Sequence, residues 1–379
     1  MALVLSEEQE LLQQTAREFI REHSPVTKFR ALRDAQDPIG FSRDLWREMA
    51  ELGWAGIVFP EEYGGGGLGY AELGLLLEEC GRSLVAEPFL STVLLGGNAV
   101  LLAGNETQCK DVLPAVCAGE RILALALQET SRHDPYRVAL RAESSGDGYR
   151  LSGEKVFVLD GHVADQLVVV ARTSGQSGER DGITLFLVDC DVKGVSVTRT
   201  LMVDSRNAAR IRLEGVEIER SAVLGEVDRG SAVLDSVLDR ATVGLCAEML
   251  GGIQEAFDRT LRYLKERKQF GVAIGSFQAL KHRSAIMFSE IELTRSVVMD
   301  ALRALDEDRA DVSRLVSMAK ARCADTYFLV GNEAVQMYGG IGVTDEEEIG
   351  FFLKRARVAQ MTLGDAAYQR DRYARLRGF

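Results

Sequence analysis

Of the six prolines in this 379-residue chain, the last is Pro135. Everything beyond it is free of proline and can hold long helices, since an interior proline costs a helix about 3 kcal/mol. The six cysteines (Cys80, Cys109, Cys117, Cys190, Cys246 and Cys323) form no Cys-x-x-Cys pair. Scattered in this way, they are expected to be buried free thiols in a reducing compartment. The four histidines are dispersed, so no metal site is expected. Acidic residues outnumber basic ones, 57 to 45. A formal net charge of -12 argues against non-specific nucleic-acid binding, which needs clustered lysine and arginine facing phosphates. No apolar run is long enough to span a membrane: Phe89 to Gly104 is interrupted by Gly96, Gly97 and Asn98 and falls short of about 20 apolar residues. The N-terminus, Met1-Ala-Leu-Val-Leu-Ser-Glu-Glu8, has no basic segment ahead of a hydrophobic core, so no signal peptide and a cytoplasmic location are expected.

Apolar residues make up 46% of the chain and charged residues 27%, as in ordinary globular proteins, and the length suggests two or three packed units. Residues 1 to about 120 read as helical. Ser6-Glu-Glu-Gln9 has the spacing of a capping box, opening a helix towards Glu22. A second helix covers roughly Ser42 to Leu52, Pro60 to Gly67 is a glycine-rich loop, and helical pattern resumes at Tyr70 and through Leu90 to Leu102. From 121 to about 228 the pattern changes to short β-branched segments at 149–158, 166–171, 183–188 and 210–218, with Ser174 to Gly182 as an exposed hairpin loop. From 229 to 379 the apolar positions step by three and four again. One stripe runs through Val243, Ala247, Leu250, Ile253, Phe257, Leu261 and Leu264, and another through Leu280, Met287, Ile291, Val298, Leu302 and Leu305. Several such helices make a bundle. No repeat of 20–50 residues is visible.

Two segments could carry chemistry. In Gly339-Gly-Ile-Gly342 the glycines let a backbone approach a pyrophosphate, yet the same residues suit an ordinary helix–helix turn, and the spacing is not the dinucleotide fingerprint Gly-x-Gly-x-x-Gly. In Arg267 to Gln278 a guanidinium that can fork onto phosphate oxygens accompanies Phe270 and Phe277, flat surfaces for a ring system. Alone, this segment also reads as a helix end with two core phenylalanines.

Together with the order helix, sheet, helix, the Pro60-Glu-Glu-Tyr-Gly-Gly65 loop, Gly153-Glu-Lys-Val-Phe157 and Gln336-Met-Tyr-Gly-Gly-Ile-Gly342, these motifs make nearly the whole chain resemble the acyl-CoA dehydrogenases. Gly81 to Leu90 and Gly364-Asp365 resemble, within that family, the small subunits of bacterial two-component enzymes acting on pimeloyl-CoA or steroid side chains. The resemblance implies an α+β fold with an N-terminal α-helical domain (1–120), a middle β-domain (121–228) and a C-terminal four-helix-bundle domain (229–379). It implies FAD as cofactor, an acyl-CoA substrate in fatty-acid or steroid side-chain β-oxidation, and electron-transfer flavoprotein as acceptor. The assembly implied is a dimer of dimers, either a homo-oligomer or a heterotetramer with a homologous subunit. Arg267, Phe270, Ile274, Phe277 and Gln278 would hold the FAD of a neighbouring subunit, and Gln336, Gly339 and Gly340 would contact its adenosine diphosphate part. Phe157 and Val158 would pack on the isoalloxazine. Gln128 stands in the flavin-contacting loop, whose usual continuation is here Thr130-Ser-Arg-His-Asp134.

Desaturation of an acyl-CoA needs a base for the α-proton, while the β-hydrogen leaves as hydride to flavin N5 and donors polarise the thioester carbonyl. The family's usual glutamate position near the C-terminus is occupied here by Leu363, which offers only its backbone N–H. Asp365 falls where a flavin-contacting threonine is usual. Some members carry the base on an earlier helix, one residue ahead of an arginine. Asp239, followed by Arg240 on the substrate side, fills that position, with a side chain shorter by ~1.5 Å than glutamate. The alternatives are a catalytically incomplete subunit that lends FAD contacts to a partner chain, and a flavin monooxygenase on the same fold.

Overall fold

A computed structural model describes residues 5–379 of the chain. The N-terminal reading above falls partly on residues 1–4, outside the described residues. In chain order the helices are α1 (Glu7–His23), α2 (Val26–Asp34), α3 (Arg43–Glu51), α4 (Tyr70–Ser83), α5 (Asn98–Ala103), α6 (Glu106–Cys117), α7 (Gly230–Glu266), α8 (Gln278–Asp306), α9 (Val312–Tyr338), α10 (Ile349–Met361) and α11 (Ala366–Leu376). The strands are β1 (Leu123–Ala126), β2 (Arg141–Ser145), β3 (Gly148–Leu159), β4 (Gln166–Arg172), β5 (Ile183–Asp189), β6 (Val195–Leu201), β7 (Asn207–Glu219), β8 (Val223–Leu224), β9 (Lys268–Gln269) and β10 (Val272–Ala273). The proline-free region holds the three longest helices, of 37, 29 and 27 residues.

The chain forms two compact units. The first comprises the residues up to Ala31, Tyr70–Val85 and Thr242–Phe379. Its regular elements among the described residues are helices and the β9–β10 hairpin. Ser6 and Gln9 form the capping box expected of them at the start of α1. Both apolar stripes are buried along their centres: Val243, Ala247, Leu250, Ile253 and Phe257 on α7, and Met287, Ile291, Val298 and Leu302 on α8. α4 meets α7 through glycine. A Cβ placed on Gly81 would lie 1.9 Å from the Glu248 carbonyl oxygen, and one on Gly251 would lie 1.8 Å from that of Glu78.

The second unit comprises Leu32–Gly69 and Ala86–Ala241. Its eight-stranded sheet runs β6-β7-β3-β2-β4-β5-β8, with β1 parallel to β4. Tyr149, Leu151, Val158, Val169, Phe186, Ile211 and Leu213 fill the core of the sheet. The apolar run that begins at Phe89 is a buried π-helix (Phe89–Gly97) continuing into α5. The 174–182 loop joins β4 to β5 as expected, and its ends are tied inward by Arg172. That fully buried guanidinium donates to the carbonyls of Val138 at 3.0 Å, Asp181 at 2.8 Å, Glu179 at 2.9 Å, Tyr136 at 3.2 Å and Ser174 at 3.4 Å. No described helix is long and apolar enough to cross a membrane.

The glycine crossing gives a test. Gly251→Ala gains about 1 kcal/mol of helix propensity but drives a methyl group into a backbone carbonyl, and overpacking costs about 1–3 kcal/mol. The clash should win, and denaturant unfolding should show a net loss of stability.

Candidate active site

In the β-rich unit, two of the residues singled out from the sequence come together at one bulge. The β3–β7 register shifts between Lys155 and Val158, so Val156 donates its N–H to the Gln128 carbonyl at 2.7 Å. The bulge puts Phe157 in the left-handed region at φ 52 and turns it outward, 42% exposed. A bulky residue rarely adopts that conformation, and bulges commonly re-aim side chains beside active sites. Val158 is different from the expectation. The bulge shifts the strand's alternation by one and sends its side chain, 1% exposed, into the sheet core, so Phe157 alone offers a side chain at this surface.

The loop bearing Gln128 is clamped from below. Glu129 accepts the N–H groups of Ala139 at 2.7 Å and Leu140 at 3.0 Å. It also accepts from Lys155 Nζ at 2.7 Å, and Lys155 donates to the Leu127 carbonyl at 3.0 Å. Lys155 is wholly buried, and burial pulls its pKa down to about 8 against the opposing pull of Glu129. The sequence did carry a signal for it: Lys155 has the strand parity of the inward-facing Tyr149 and Leu151.

Asp239 lies on α7 and is 5% exposed. The half-buried Arg240 donates to the Ser236 carbonyl one turn back, at 3.1 Å. One turn ahead of Asp239, Asp235 accepts from the Tyr136 hydroxyl and from Arg180, tying the start of α7 to the loop that Arg172 holds. Asp235 and Asp239 share a helix face by their spacing.

In the helical unit, Arg267 follows α7 and its carbonyl accepts from Ile274 N–H at 2.8 Å, closing the β9–β10 hairpin. The two-residue turn, Phe270-Gly271, has positive φ at both positions (52 and 81), the geometry of a type I′ hairpin. It leaves Phe270 91% exposed, edge-on to the 39% exposed Phe277 at 6.1 Å. Arg267, Gln278 and Gln336 are exposed, Ile274 is half-buried, and the Arg267 guanidinium has no partner among the described residues. Gly339, with φ 68, and Gly340 face open space, since a Cβ on either would meet nothing within 4 Å. The two motifs are joined through a pair the sequence reading missed. Tyr263 stacks on Tyr338 at 4.2 Å, Tyr263 donates to the Tyr338 carbonyl at 3.3 Å, and Tyr338 donates to that of Arg259 at 3.2 Å.

Further along, Leu363 adopts φ 57 and Gly364 φ 91 in the turn between α10 and α11. Asp365 caps α11, accepting the Tyr368 N–H at 2.8 Å, so one of its oxygens is already engaged. An arginine-rich cavity of about 500 Å³ lies elsewhere in this unit, bordered by Arg17, Arg82 and Arg262, and none of the residues singled out from the sequence lines it.

A free guanidinium, an open glycine turn and two exposed phenylalanines on one unit can hold a phosphate-bearing aromatic cofactor, and the residues present fit FAD. The comparisons agree. The chain matches the acyl-CoA dehydrogenase N-terminal domain over residues 6–120, the middle domain over 127–216 and the C-terminal domain over 228–376. It is 32% identical over 375 residues to the mitochondrial isovaleryl-CoA dehydrogenase of Pongo abelii, covering 97% of this chain and 88% of that one. Among solved structures it is similar to a variant of the Tcur3481-Tcur3483 steroid ACAD (33% identity, TM-score 0.88, 98% of both chains). It is also similar to the ChsE4-ChsE5 complex from Mycobacterium tuberculosis (26% identity, TM-score 0.90, 100% of this chain and 99% of that one). The chain belongs to the acyl-CoA dehydrogenase family. It is an oxidoreductase with that family's three-part α+β fold, and its cofactor is FAD.

The Lys155–Glu129 clamp predicts a pH dependence. With a folded pKa near 8 against an ordinary 10.5, Lys155 binds fewer protons folded than unfolded between those values. Its contribution to stability therefore grows as pH rises from 8 to 10.5 and is lost as pH falls through 8. Lys155→Met should remove that rise from the pH–stability curve. At neutral pH it should also cost about 3–5 kcal/mol, because Glu129 loses its buried partner.

Proposed function

We propose that this chain catalyses α,β-desaturation of an acyl-CoA thioester. The observation that carries the reading is the surface at the end of α7, where Arg267, Phe270, Phe277 and the open Gly339-Gly340 turn gather in one unit. There Arg267 would fork onto the pyrophosphate of a neighbouring subunit's FAD, Phe270, Ile274, Phe277 and Gln278 would line its bed, and Gln336 with the two glycines would meet its adenosine diphosphate part. Phe157 and the Gln128 loop would hold the isoalloxazine. FAD supplies the acceptor for the β-hydrogen, which leaves as hydride. Asp239 takes the α-proton on a carboxylate oxygen, with Arg240 on the substrate side. The Leu363 N–H donates to the thioester carbonyl oxygen as enolate charge develops there.

Residues so exposed and apolar as Phe270 are completed by a neighbouring copy, and the assembly proposed is a dimer of dimers that passes electrons to electron-transfer flavoprotein. A second reading rests on Leu363. A side chain unable to accept a proton suits a subunit of a heteromer, in the manner of the small chains of two-component enzymes, whose partner completes the active site. The similarity to a complex of two named chains favours keeping that reading.

Arg267→Ala should weaken FAD binding by about 1.5–3 kcal/mol, the worth of a hydrogen bond to a charged group, seen as flavin lost on gel filtration. Asp239→Asn should retain FAD but slow flavin reduction by acyl-CoA by about 10²–10⁴-fold, the range for general base catalysis. Wild-type flavin reduction rates in Asp239→Asn would remove Asp239 from the mechanism.

A further inference from the structure

Lys320 has no exposed surface, and nothing so far has given it a task. It stands on α9 and donates to three carbonyls, those of Ala359 at 2.9 Å, Gln360 at 3.0 Å and Gly364 at 3.0 Å. The first two close the last turn of α10, as any lysine near a helix C-terminus can do. The third lies beyond the helix, in the turn that carries Leu363. Gln369, 2% exposed, takes the adjoining acceptor and donates to the Leu363 carbonyl at 2.8 Å. Carbonyls on both sides of residue 363 are thus held by buried donors. The Leu363 N–H donates to no protein acceptor among the described residues. That N–H lies in the planar peptide it shares with the Thr362 carbonyl, between the held carbonyls of Gln360 and Leu363, so fixing the backbone on either side of this peptide limits where the N–H can aim. Leucine carries no acid–base group, so the aim of this backbone donor is all that position 363 can contribute to catalysis.

We propose that Lys320 is a positioning residue for thioester oxidation: by gathering the carbonyls of Ala359, Gln360 and Gly364, it aims the Leu363 N–H at the thioester carbonyl oxygen. The inference rests on the reading of Leu363 as the carbonyl donor. The groups facing the ammonium are Cys246 on α7, Cys323 on α9 and Asp365 at the start of α11. Burial pulls the amine down to about 8. A neutral amine has two hydrogens for three carbonyls, so the turn should loosen as pH passes that value.

The test uses FAD-loaded wild type and Lys320→Met, saturated with crotonyl-CoA labelled with carbon-13 at the thioester carbonyl. This short 2-enoyl thioester demands little of the acyl pocket, and a perturbed flavin spectrum marks its binding. The carbonyl resonance of bound ligand is followed from pH 6 to pH 10, alongside kcat and KM for a saturated thioester. In wild type the resonance should be displaced from its free value, with the displacement shrinking through a midpoint near pH 8. In Lys320→Met it should be smaller at every pH, without that step, and kcat should fall by about 10²-fold, as when an oxyanion donor is lost, with KM little changed. A wild-type displacement retained in Lys320→Met, whatever the loss of Tm, would make Lys320 a helix cap only and overturn the proposal. If the variant does not fold, the wild-type pH series decides alone: a displacement flat from pH 6 to 10 overturns it. No displacement in wild type at any pH would instead sink the underlying reading of Leu363.

Discussion

Two ammonium groups cut off from water hold the backbone near two of the left-handed turns beside the proposed chemistry, those of Phe157 and Leu363. Lys155 binds the Leu127 carbonyl and Glu129 under the Gln128 loop, two residues before Phe157 takes its left-handed turn. Lys320 binds three carbonyls around the turn in which Leu363 does the same. A bulky residue in that region costs of order 1–3 kcal/mol, and a buried charge costs several more unless it is fully hydrogen-bonded. Each lysine meets its own cost with acceptors packed around the turn, Leu127 and Glu129 for Lys155 and Ala359, Gln360 and Gly364 for Lys320. Removing either lysine would leave carbonyls without donors and the turn without a reason to persist.

The same logic explains how much was legible in advance. Ser6 and Gln9 announce α1 because a capping box is a local, three-residue interaction. The stripes on α7 and α8 announce the bundle because long amphipathic helices repeat their signal over many turns. β1, four buried residues reading Leu-Ala-Leu-Ala, shows no alternation of burial, and β2, mostly exposed Arg-Ala-Glu-Ser-Ser, lacks the apolar residues that mark a strand. Both exist because neighbouring strands pair with them, which no local pattern records. Phe157, Phe270 and Arg267 could be singled out from their motifs. The side chains that hold the Gly339 and Leu363 turns could not, since Tyr263 meets Tyr338 and Lys320 meets Gly364 only after folding. A lysine on an otherwise apolar stripe, as in Val316, Lys320, Cys323 and Tyr327, was the available clue. The burial of Val158 was not legible because the bulge at Phe157 shifts the parity of every residue after it.

Two departures from the family pattern can be placed physically. Replacing the usual carboxylate by Leu363 removes proton chemistry from a turn whose backbone is nonetheless firmly held, which suits a donor of hydrogen bonds and nothing more. The altered Thr130–Asp134 segment follows a glutamate whose two oxygens are occupied by backbone N–H groups and Lys155, so Glu129 is a structural anchor here, not a free acid.

The most direct test of the account is the visible spectrum of the chain purified alone, before and after anaerobic addition of a panel of acyl-CoA thioesters. The account predicts stoichiometric FAD and bleaching of the flavin by at least one thioester. A chain that retains no FAD when purified alone, or holds a full complement that no thioester bleaches until a homologous subunit is added, would contradict self-sufficient desaturation and assign the chemistry to a partner.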